Sequence, residues 1–138
     1  MKTMLAAYLP GNSTVDLREV KEENFIRLGN GWQLRMICDD FCRRAGIRPQ
    51  AVFESNSPES VRNLIAAGLG IGFWPEKAWG GPPGHGVVLI PIRYPICRRD
   101  LVVTMFEQAK DKPVVDEFMD YFCRYFEKET LESGDVTL

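Results

Sequence analysis

The chain has 138 residues, 45% hydrophobic and 26% charged, the composition of one small globular domain that can bury a core. Its formal net charge of -2 excludes the basic excess that holds a nucleic-acid backbone. No apolar run reaches the ~20 residues that cross a bilayer. The apolar stretch within Met1 to Pro10 is too short for a signal peptide. We therefore expect a cytoplasmic protein.

The first half of the chain alternates predicted strands and helices. Asn24 to Leu28 is typical of a short strand, and the glycines in Gly29 to Gly31 interrupt it. Apolar residues at helical spacing then predict a helix, which Gly46 ends. These apolar residues are Leu34, Ile37, Cys38, Phe41 and Ala45. Ala51 to Ser55 is the next predicted strand.

A second helix is predicted to begin at Ser57 and Pro58. The Ser57 hydroxyl can accept an unpaired helix N–H, and Pro58 fits the first helical position because its missing N–H costs nothing there. Gly68 closes the helix. The stripe predicted to be buried consists of Val61, Leu64 and Ile65.

A row of glycines follows this helix. Gly70 and Gly72 alternate with apolar residues, which is typical of a strand; the apolar residues are Leu69, Ile71 and Phe73. The two glycines leave one strand face bare, so that a helix or a ligand can approach the backbone closely. Pro75 ends the pairing.

The remainder of the chain predicts two further strands and a helix. Val87 to Ile92 is a strand that Pro91 ends or places at a sheet edge, and Asp100 to Glu107 is another strand. A helix starts near Pro113, and its apolar face consists of Val115, Phe118, Met119, Phe122 and Phe126. This order of elements favours an α/β fold with a largely parallel sheet.

Two strand-to-helix junctions are candidate ligand sites. They are Leu28 to Gly31 and Glu54 to Ser57, and both place backbone N–H groups at the positive end of a helix, where a carboxylate, sulfate or phosphate binds well. Asn and Ser at helix starts also serve simply as caps. The charge of Glu54 opposes an anion unless it points away or binds an amine.

The sequence offers weak support for metal binding or catalysis. The four cysteines are Cys38, Cys42, Cys97 and Cys123, and a metal clip of Cys38 and Cys42 with His85 is less favoured than a role for both thiols on an apolar helix face. His85, the single histidine, lies in a loop, and no base for a cysteine nucleophile is evident. We expect no cofactor, no metal and no catalytic residue.

Several stretches resemble the effector-binding domain of LysR-type transcriptional regulators. "IAAGLGIGFWP" (residues 65–75) is similar to a recurrent glycine-rich stretch of that family, and "VDLREVKEENFIRLGNGWQLRMICDDFCRRAGIRPQ" (residues 15–50) resembles the middle of the domain. "CRRDLVVTM" and "FMDYFCRYF" match its final strand and helix. The likeness runs from Met4 to about Lys128.

The resemblance implies a periplasmic-binding-protein-like fold of two α/β subdomains, with a small-molecule effector between them. Residues of about 20–88 would form the complete second subdomain. Residues of about 1–19 and 89–138 would form the hinge strands and a remnant of the first subdomain. The expected effector-binding residues are Gly29, Asn30, Ser55, Asn56, Ser57, Phe73, Trp74 and Pro75.

The expected function is therefore effector sensing within a transcriptional regulator, with no enzyme activity. Because the chain shows no helix-turn-helix, it is expected not to bind operator DNA itself. The apolar final helix needs cover, so we expect a homo-oligomer. Two alternatives stay open at this point: a stand-alone periplasmic-binding-like module that works as a dimer, and, less favoured, a small enzyme that uses Cys38 or Cys42 with His85.

Overall fold

The computed structural model describes residues 3–7, 14–82, 84–100, 102–110 and 112–132. The strands in this part of the chain are β1 (Thr3–Ala7), β2 (Val15–Asp16), β3 (Asn24–Leu28), β4 (Gln50–Ser55), β5 (Gly72–Pro75) and β6 (Val88–Tyr94). The helices are α1 (Gln33–Arg44), α2 (Pro58–Ala66), α3 (Glu76–Trp79) and α4 (Pro113–Glu132), with 3-10 turns at Leu17–Val20 and Glu107–Ala109. The chain divides into two compact units, Met1–Asp100 and Leu101–Leu138.

The described residues of the first unit form two sheets. One has the strand order β2-β6-β1-β5, and the other is the pair β3-β4. β3 runs parallel to β4 and β2 parallel to β6, whereas β1 is antiparallel to both β5 and β6. Ile71 joins the two sheets, because its N–H donates to Asn24 O and its carbonyl accepts from Ile26 N, both at 2.8 Å. The α/β class is therefore confirmed, and its larger sheet is mixed.

Helices α1 and α2 bury the apolar faces that the sequence predicts. Ser57 caps α2 by accepting a hydrogen bond from Ser60 N, as predicted, and Gly46 and Gly68 take positive φ values of 70° and 74° just beyond the two helices. The buried face of α1 contains Leu34, Cys38, Phe41 and Ala45, with Ile37 half-buried. The buried face of α2 contains Val61 and Ile65, with Leu64 half-buried. α3 is a short helix that the sequence patterns did not predict.

The glycine row places α2 and β3 directly against β5. A Cβ at Gly72 would lie 2.5 Å from Ile65 Cδ1 and 2.9 Å from Ile26 O, and a Cβ at Gly70 would lie 2.4 Å from Asn24 O. The bare face that the sequence predicts is thus filled by a helix side chain and a neighbouring backbone. Leu69 is exposed and precedes the strand, so the predicted alternation holds only for Ile71 and Phe73.

The prediction for Pro91 is wrong. β6 continues past Pro91 to Tyr94 and lies between β2 and β1, so Pro91 neither ends the strand nor lies at an edge. β2 is only two residues long and pairs with Ile92 and Tyr94, and on the other side Pro91 lies opposite Met4. Pro91 has no backbone N–H to donate, and this is tolerated because the pairing of β6 with β2 begins only after Pro91.

The second unit is dominated by the 20-residue helix α4. The predicted strand from Asp100 to Glu107 is wrong, because residues 102–106 form no ladder within the described part of the chain. Val102 and Phe106 are exposed. An apolar, β-branched run needs a partner strand to become a strand, and that partner is a property of tertiary structure.

Candidate functional site

The loops that follow β3 and β4 lie side by side. Since the two strands are parallel, their carboxyl ends meet at one edge. The N–H of Gly29 donates to Ser55 O at 2.9 Å, and the indole Nε1 of Trp32 donates to Asn56 O at 3.1 Å. Ser57 follows directly as the cap of α2. The structure thus brings together four of the predicted residues, with Asn30 exposed in the turn between Gly29 and α1.

The side-chain oxygen of Asn56 lies close to the backbone of Gly29. A Cβ at Gly29 would lie 2.2 Å from Asn56 Oδ1, closer than any real contact, so the Asn56 carboxamide lies over the glycine backbone. Asn56 itself is exposed. Gly29 and Asn56 together therefore place the polar side chain of Asn56 at the edge of the loops.

The two helix starts differ in how their N–H groups are satisfied. At α2, Ser57 Oγ accepts from Ser60 N at 3.2 Å, and Ser55 Oγ accepts from Ser57 N at 3.1 Å. At α1, the residue before the helix is Trp32, whose side chain makes no capping hydrogen bond. The first backbone N–H groups of α1 therefore lack the side-chain acceptor that a capped helix has. Of the two helix starts, the start of α1 is the more open to an anion.

Glu54 is paired with two guanidinium groups, those of Arg27 and Arg35. Its Oε1 accepts from Arg27 Nε at 2.7 Å, and its Oε2 lies 3.3 Å from Arg35 Nη1. The hydrogen bond from Arg27 holds the pKa of Glu54 below its usual range, against the opposing effect of desolvation. The charge of Glu54 is thus balanced, which removes the objection that the sequence raised against an anion here.

Arg35 is a functional candidate that the sequence reasoning missed. Its side chain is only 8% exposed, its Nη1 donates to Leu28 O at 2.8 Å, and its Nε donates to Asp39 Oδ2 at 2.7 Å. Arg35 therefore fixes the last carbonyl of β3, immediately before Gly29. The (i, i+4) spacing of Arg35 and Asp39 was the available sequence signal, but it does not reveal that the arginine is buried.

A small cavity lies beneath these loops, between β3, α1 and α2. Its volume is about 20 Å³, which is enough for one water-sized molecule and too small for an organic effector. Its lining residues are Ile26, Arg27, Leu28, Leu34, Arg35, Cys38, Val61, Phe73 and Trp79. An organic effector is therefore not held inside this cavity.

Phe73, Trp74 and Pro75 lie in the core of the first unit. The Phe73 ring packs against Phe25 and Phe41 with centroid distances of 6.0 and 6.2 Å. Trp74 is 0% exposed, and its Nε1 donates to Gly80 O at 2.8 Å. These three residues support the loops from within the core, and they present almost no surface to solvent.

The cysteine chemistry does not suit catalysis. Burial raises the pKa of the Cys38 thiol well above its usual range and that of Cys42 to about 12. Both groups are therefore held as thiols at neutral pH, whereas the thiolate is the nucleophile and the metal ligand. His85 lies in an exposed segment before β6. Within the described residues, no cluster of three or more His, Cys, Asp or Glu side chains could hold a metal ion.

Comparison with known proteins places most of the chain in one family. Residues 4–127 match the family model described as LysR substrate binding domain. The transcriptional dual regulator GltC of Bacillus subtilis is 25% identical over 120 residues, which cover 87% of this chain and 40% of GltC. The chain thus spans about two fifths of the length of this curated relative.

Solved structures show the same fold. A putative LysR family regulator from Pseudomonas aeruginosa superposes with a TM-score of 0.72 at 20% identity, over 87% of this chain and 44% of that one. The effector-binding domain of QuiR in complex with shikimate has a TM-score of 0.63 at 16% identity, over 92% of this chain and 62% of that one. At these identities the likeness establishes the periplasmic-binding-protein-like fold alone. No helix within the described residues is long and apolar enough to span a membrane.

Proposed function

The chain belongs to the LysR substrate-binding domains of transcriptional regulators, and from this premise we propose that it senses a small anionic effector at the paired loops after β3 and β4. Direct contacts are assigned to residues at the loop edge: Gly29, Asn30, Ser55, Asn56 and Ser57. Phe73, Trp74 and Pro75 act on the site indirectly, from β5 in the core beneath the loops.

The observation that carries this proposal is the start of α1. It lacks a side-chain cap, it adjoins the exposed amides of Asn30 and Asn56, and the one nearby carboxylate in β4 is neutralised by Arg27 and Arg35. Backbone N–H groups and side-chain amides are the donors that recognise a carboxylate. The shikimate bound to QuiR is a carboxylate as well, which supports the same ligand class here.

We place this activity within a larger regulatory protein in the cytoplasm. In that setting the effector shifts the population of two conformations and thereby changes DNA contacts that a separate helix-turn-helix domain makes. The proposal includes association of the chain with itself, because α4 exposes apolar side chains. Since Cys38 and Cys42 are held as thiols, the domain acts by binding and not by cysteine-dependent turnover.

A thermal-unfolding screen with small carboxylates, beginning with shikimate, tests the effector site. A ligand at about a hundred times its dissociation constant adds ~2.7 kcal/mol to the free energy of unfolding. Asn30→Asp and Asn56→Asp place a negative charge beside the helix starts, so the ligand-induced shift should disappear. An aspartate near a helix N-terminus does not weaken the helix, so loss of the shift reports binding and not unfolding.

Asn63→Asp is the matched control, because Asn63 is exposed and lies on α2 one turn or more away from its start. This variant should keep the full ligand-induced shift. A shift that survives in Asn30→Asp and Asn56→Asp would contradict the site, and a screen in which no carboxylate stabilises the chain would contradict the ligand class.

A further inference from the structure

The residues that follow β6 are held against the C-terminal end of α1. Tyr94, the last residue of β6, donates from its hydroxyl to the carbonyl of Arg44 at 3.3 Å. Arg44, the last residue of α1, donates from Nη2 to the carbonyl of Ile96 at 3.0 Å. Two hydrogen bonds thus join the end of α1 to the stretch from Tyr94 to Cys97, which we call the exit segment because the first unit ends shortly after it, at Asp100.

The exit segment makes two further contacts within the first unit. The guanidinium carbon of Arg18 lies 4.6 Å from the centroid of the Tyr94 ring, which is the geometry of a cation–π contact. The N–H of Thr3 donates to the carbonyl of Cys97 at 2.8 Å. The exit segment therefore connects the end of α1 with the first residue of β1.

These contacts differ in how far water can reach them. Tyr94 is 42% exposed and Ile96 68%, and the side chain of Arg44 is 44% exposed. Water competes for hydrogen bonds at such positions, so each of them contributes little to stability. Thr3 and Cys97, in contrast, are 2% and 4% exposed. The exit segment is thus held by weak contacts on its exposed side and by one buried hydrogen bond.

The hydroxyl of Thr3 favours opening of the exit segment. Its Oγ1 is buried and has no hydrogen-bond partner within the part of the chain that the structure describes. Such a group is costly because it has lost its hydrogen bonds to water, and water that enters on opening can restore them. Weak exposed contacts therefore favour the closed form and a buried polar group disfavours it, so an open form lies close in free energy.

We propose that the hydrogen bonds of Tyr94 and Arg44 form a latch that couples the start of α1 to the exit segment at its end. α1 has 12 residues and spans ~18 Å as one rigid element. The candidate effector site lies at its start and the latch at its end, so a shift of α1 at the effector loops changes the latch. The inference rests on the proposed function in one respect, the assignment of the effector to the start of α1.

Native-state amide hydrogen exchange of the full chain, followed by NMR, tests the latch. The amide of Thr3 reports its opening, because this N–H is bonded to Cys97 O. Tyr94→Phe and Arg44→Met each remove one hydrogen bond of the latch. Each should raise the exchange rate of the Thr3 amide about 2- to 10-fold, the range that one hydrogen bond supplies. The amide of Ile26, which donates to Ile71 O in the core, should keep its exchange rate.

Arg43→Met is the matched control for Arg44→Met. It makes the same substitution one residue earlier, at a side chain that is 79% exposed and pairs with Asp40, and it should leave the exchange rate of the Thr3 amide unchanged. Equal rates in the two variants, or a rise that appears equally at the Ile26 amide, would overturn the latch. Such results would mean that the substitutions either do nothing or lower the stability of the whole unit.

Trp32→Phe tests the coupling along α1 without any ligand. It removes the hydrogen bond from the indole to Asn56 O at the start of α1. The exchange rate of the Thr3 amide should rise at least about twofold in the otherwise wild-type chain. It should not rise further in a chain that already carries Tyr94→Phe and Arg44→Met, because the latch is then open.

The same effect of Trp32→Phe in both backgrounds, or no effect in either, would overturn the coupling. The carboxylate screen decides the effector site separately. Latch-dependent exchange in a chain that no carboxylate stabilises would keep the latch and contradict the proposed effector site alone.

Discussion

At the residue scale, the loop before α1 depends on the buried guanidinium of Arg35. Arg35→Met leaves the carbonyl of Leu28 and the carboxylates of Glu54 and Asp39 with fewer donors. Leaving the buried carbonyl of Leu28 without this donor costs about 1–3 kcal/mol, so the free energy of unfolding should fall by that amount in a urea titration.

The control for this prediction is Arg43→Met on the exposed side of α1. Arg43 pairs with Asp40, and its side chain is 79% exposed. A surface ion pair of this kind contributes within about 0.5 kcal/mol. Equal losses of stability in Arg35→Met and Arg43→Met would contradict the role assigned to Arg35.

Asp16 gives a pH-dependent prediction at the same scale. Its carboxylate accepts from Arg18 N and Nε, both at 2.9 Å, and from Nη2 at 2.6 Å. These bonds lower the pKa of Asp16 from 3.8 to about 2. Because the folded-state pKa lies below the unfolded value, the stabilisation is complete above pH ~4 and is lost as the pH falls towards ~2.

Asp16→Asn should remove this dependence. As the pH is lowered from ~4 to ~2, the urea midpoint of the wild-type chain should fall more steeply than that of the variant. At neutral pH the variant should be less stable than the wild-type chain. Midpoints that run parallel across this range would show that the Asp16–Arg18 contact does not stabilise the fold.

At the element scale, the glycine row sets how closely β5 packs on its neighbours. Gly70→Ala would put a Cβ 2.4 Å from the backbone oxygen of Asn24, which cannot rotate away. Overpacking of this kind costs about 1–3 kcal/mol, measurable as a lower urea midpoint. Gly81→Ala is the control, because a Cβ there meets no atom within 4 Å. Comparable midpoints in the two variants would show that the β3–β5 contact is looser than described.

The same scale shows where element prediction succeeds. The order of β3, α1, β4, α2 and β5 follows from apolar periodicity, from the Ser57 cap and from the glycines that end the helices, all of which are local signals. The strand expected from Asp100 to Glu107 failed, and so did the edge position expected for Pro91. Both errors concern pairing with residues far away in the chain, which local sequence does not encode.

At the scale of the whole molecule, the core of the first unit is self-contained. Its buried apolar side chains and the half-buried ones packed against them all lie between Leu5 and Cys97. A chain that ends at Asp100 should therefore unfold in one cooperative transition, with the near-UV circular dichroism of Trp74 and its neighbours retained. It should also stay monomeric up to about 1 mM, because it lacks α4 and the apolar side chains that α4 exposes.

The reference for this truncation is the full-length Tyr121→Glu variant, which keeps the chain length and places a charge among the exposed apolar side chains of α4. Both proteins should retain the near-UV circular dichroism of the buried Trp74. A truncated chain that loses cooperative unfolding would contradict the independence of the first unit.

The candidate site was partly accessible from sequence. The positions of Gly29, Asn56 and Ser57 follow from the rule that parallel strands end at one edge beside helix N-termini, and the structure joins these loops by the bonds from Gly29 to Ser55 and from Trp32 to Asn56. The role of Arg35 was not accessible, because its partners include Leu28 and Glu54, and burial of an arginine depends on partners that only the folded chain brings near.

The sequence by itself determined the family, the α/β class and the order of elements, because each rests on short-range patterns of apolar spacing, caps and glycines. Tertiary structure alone decided that Glu54 is neutralised, that Phe73 to Pro75 lie in the core, and that β6 is an interior strand of a mixed sheet. The physical reason is that charge balance, burial and strand pairing depend on contacts between residues distant in sequence, such as Arg27 with Glu54 and Met4 with Pro91.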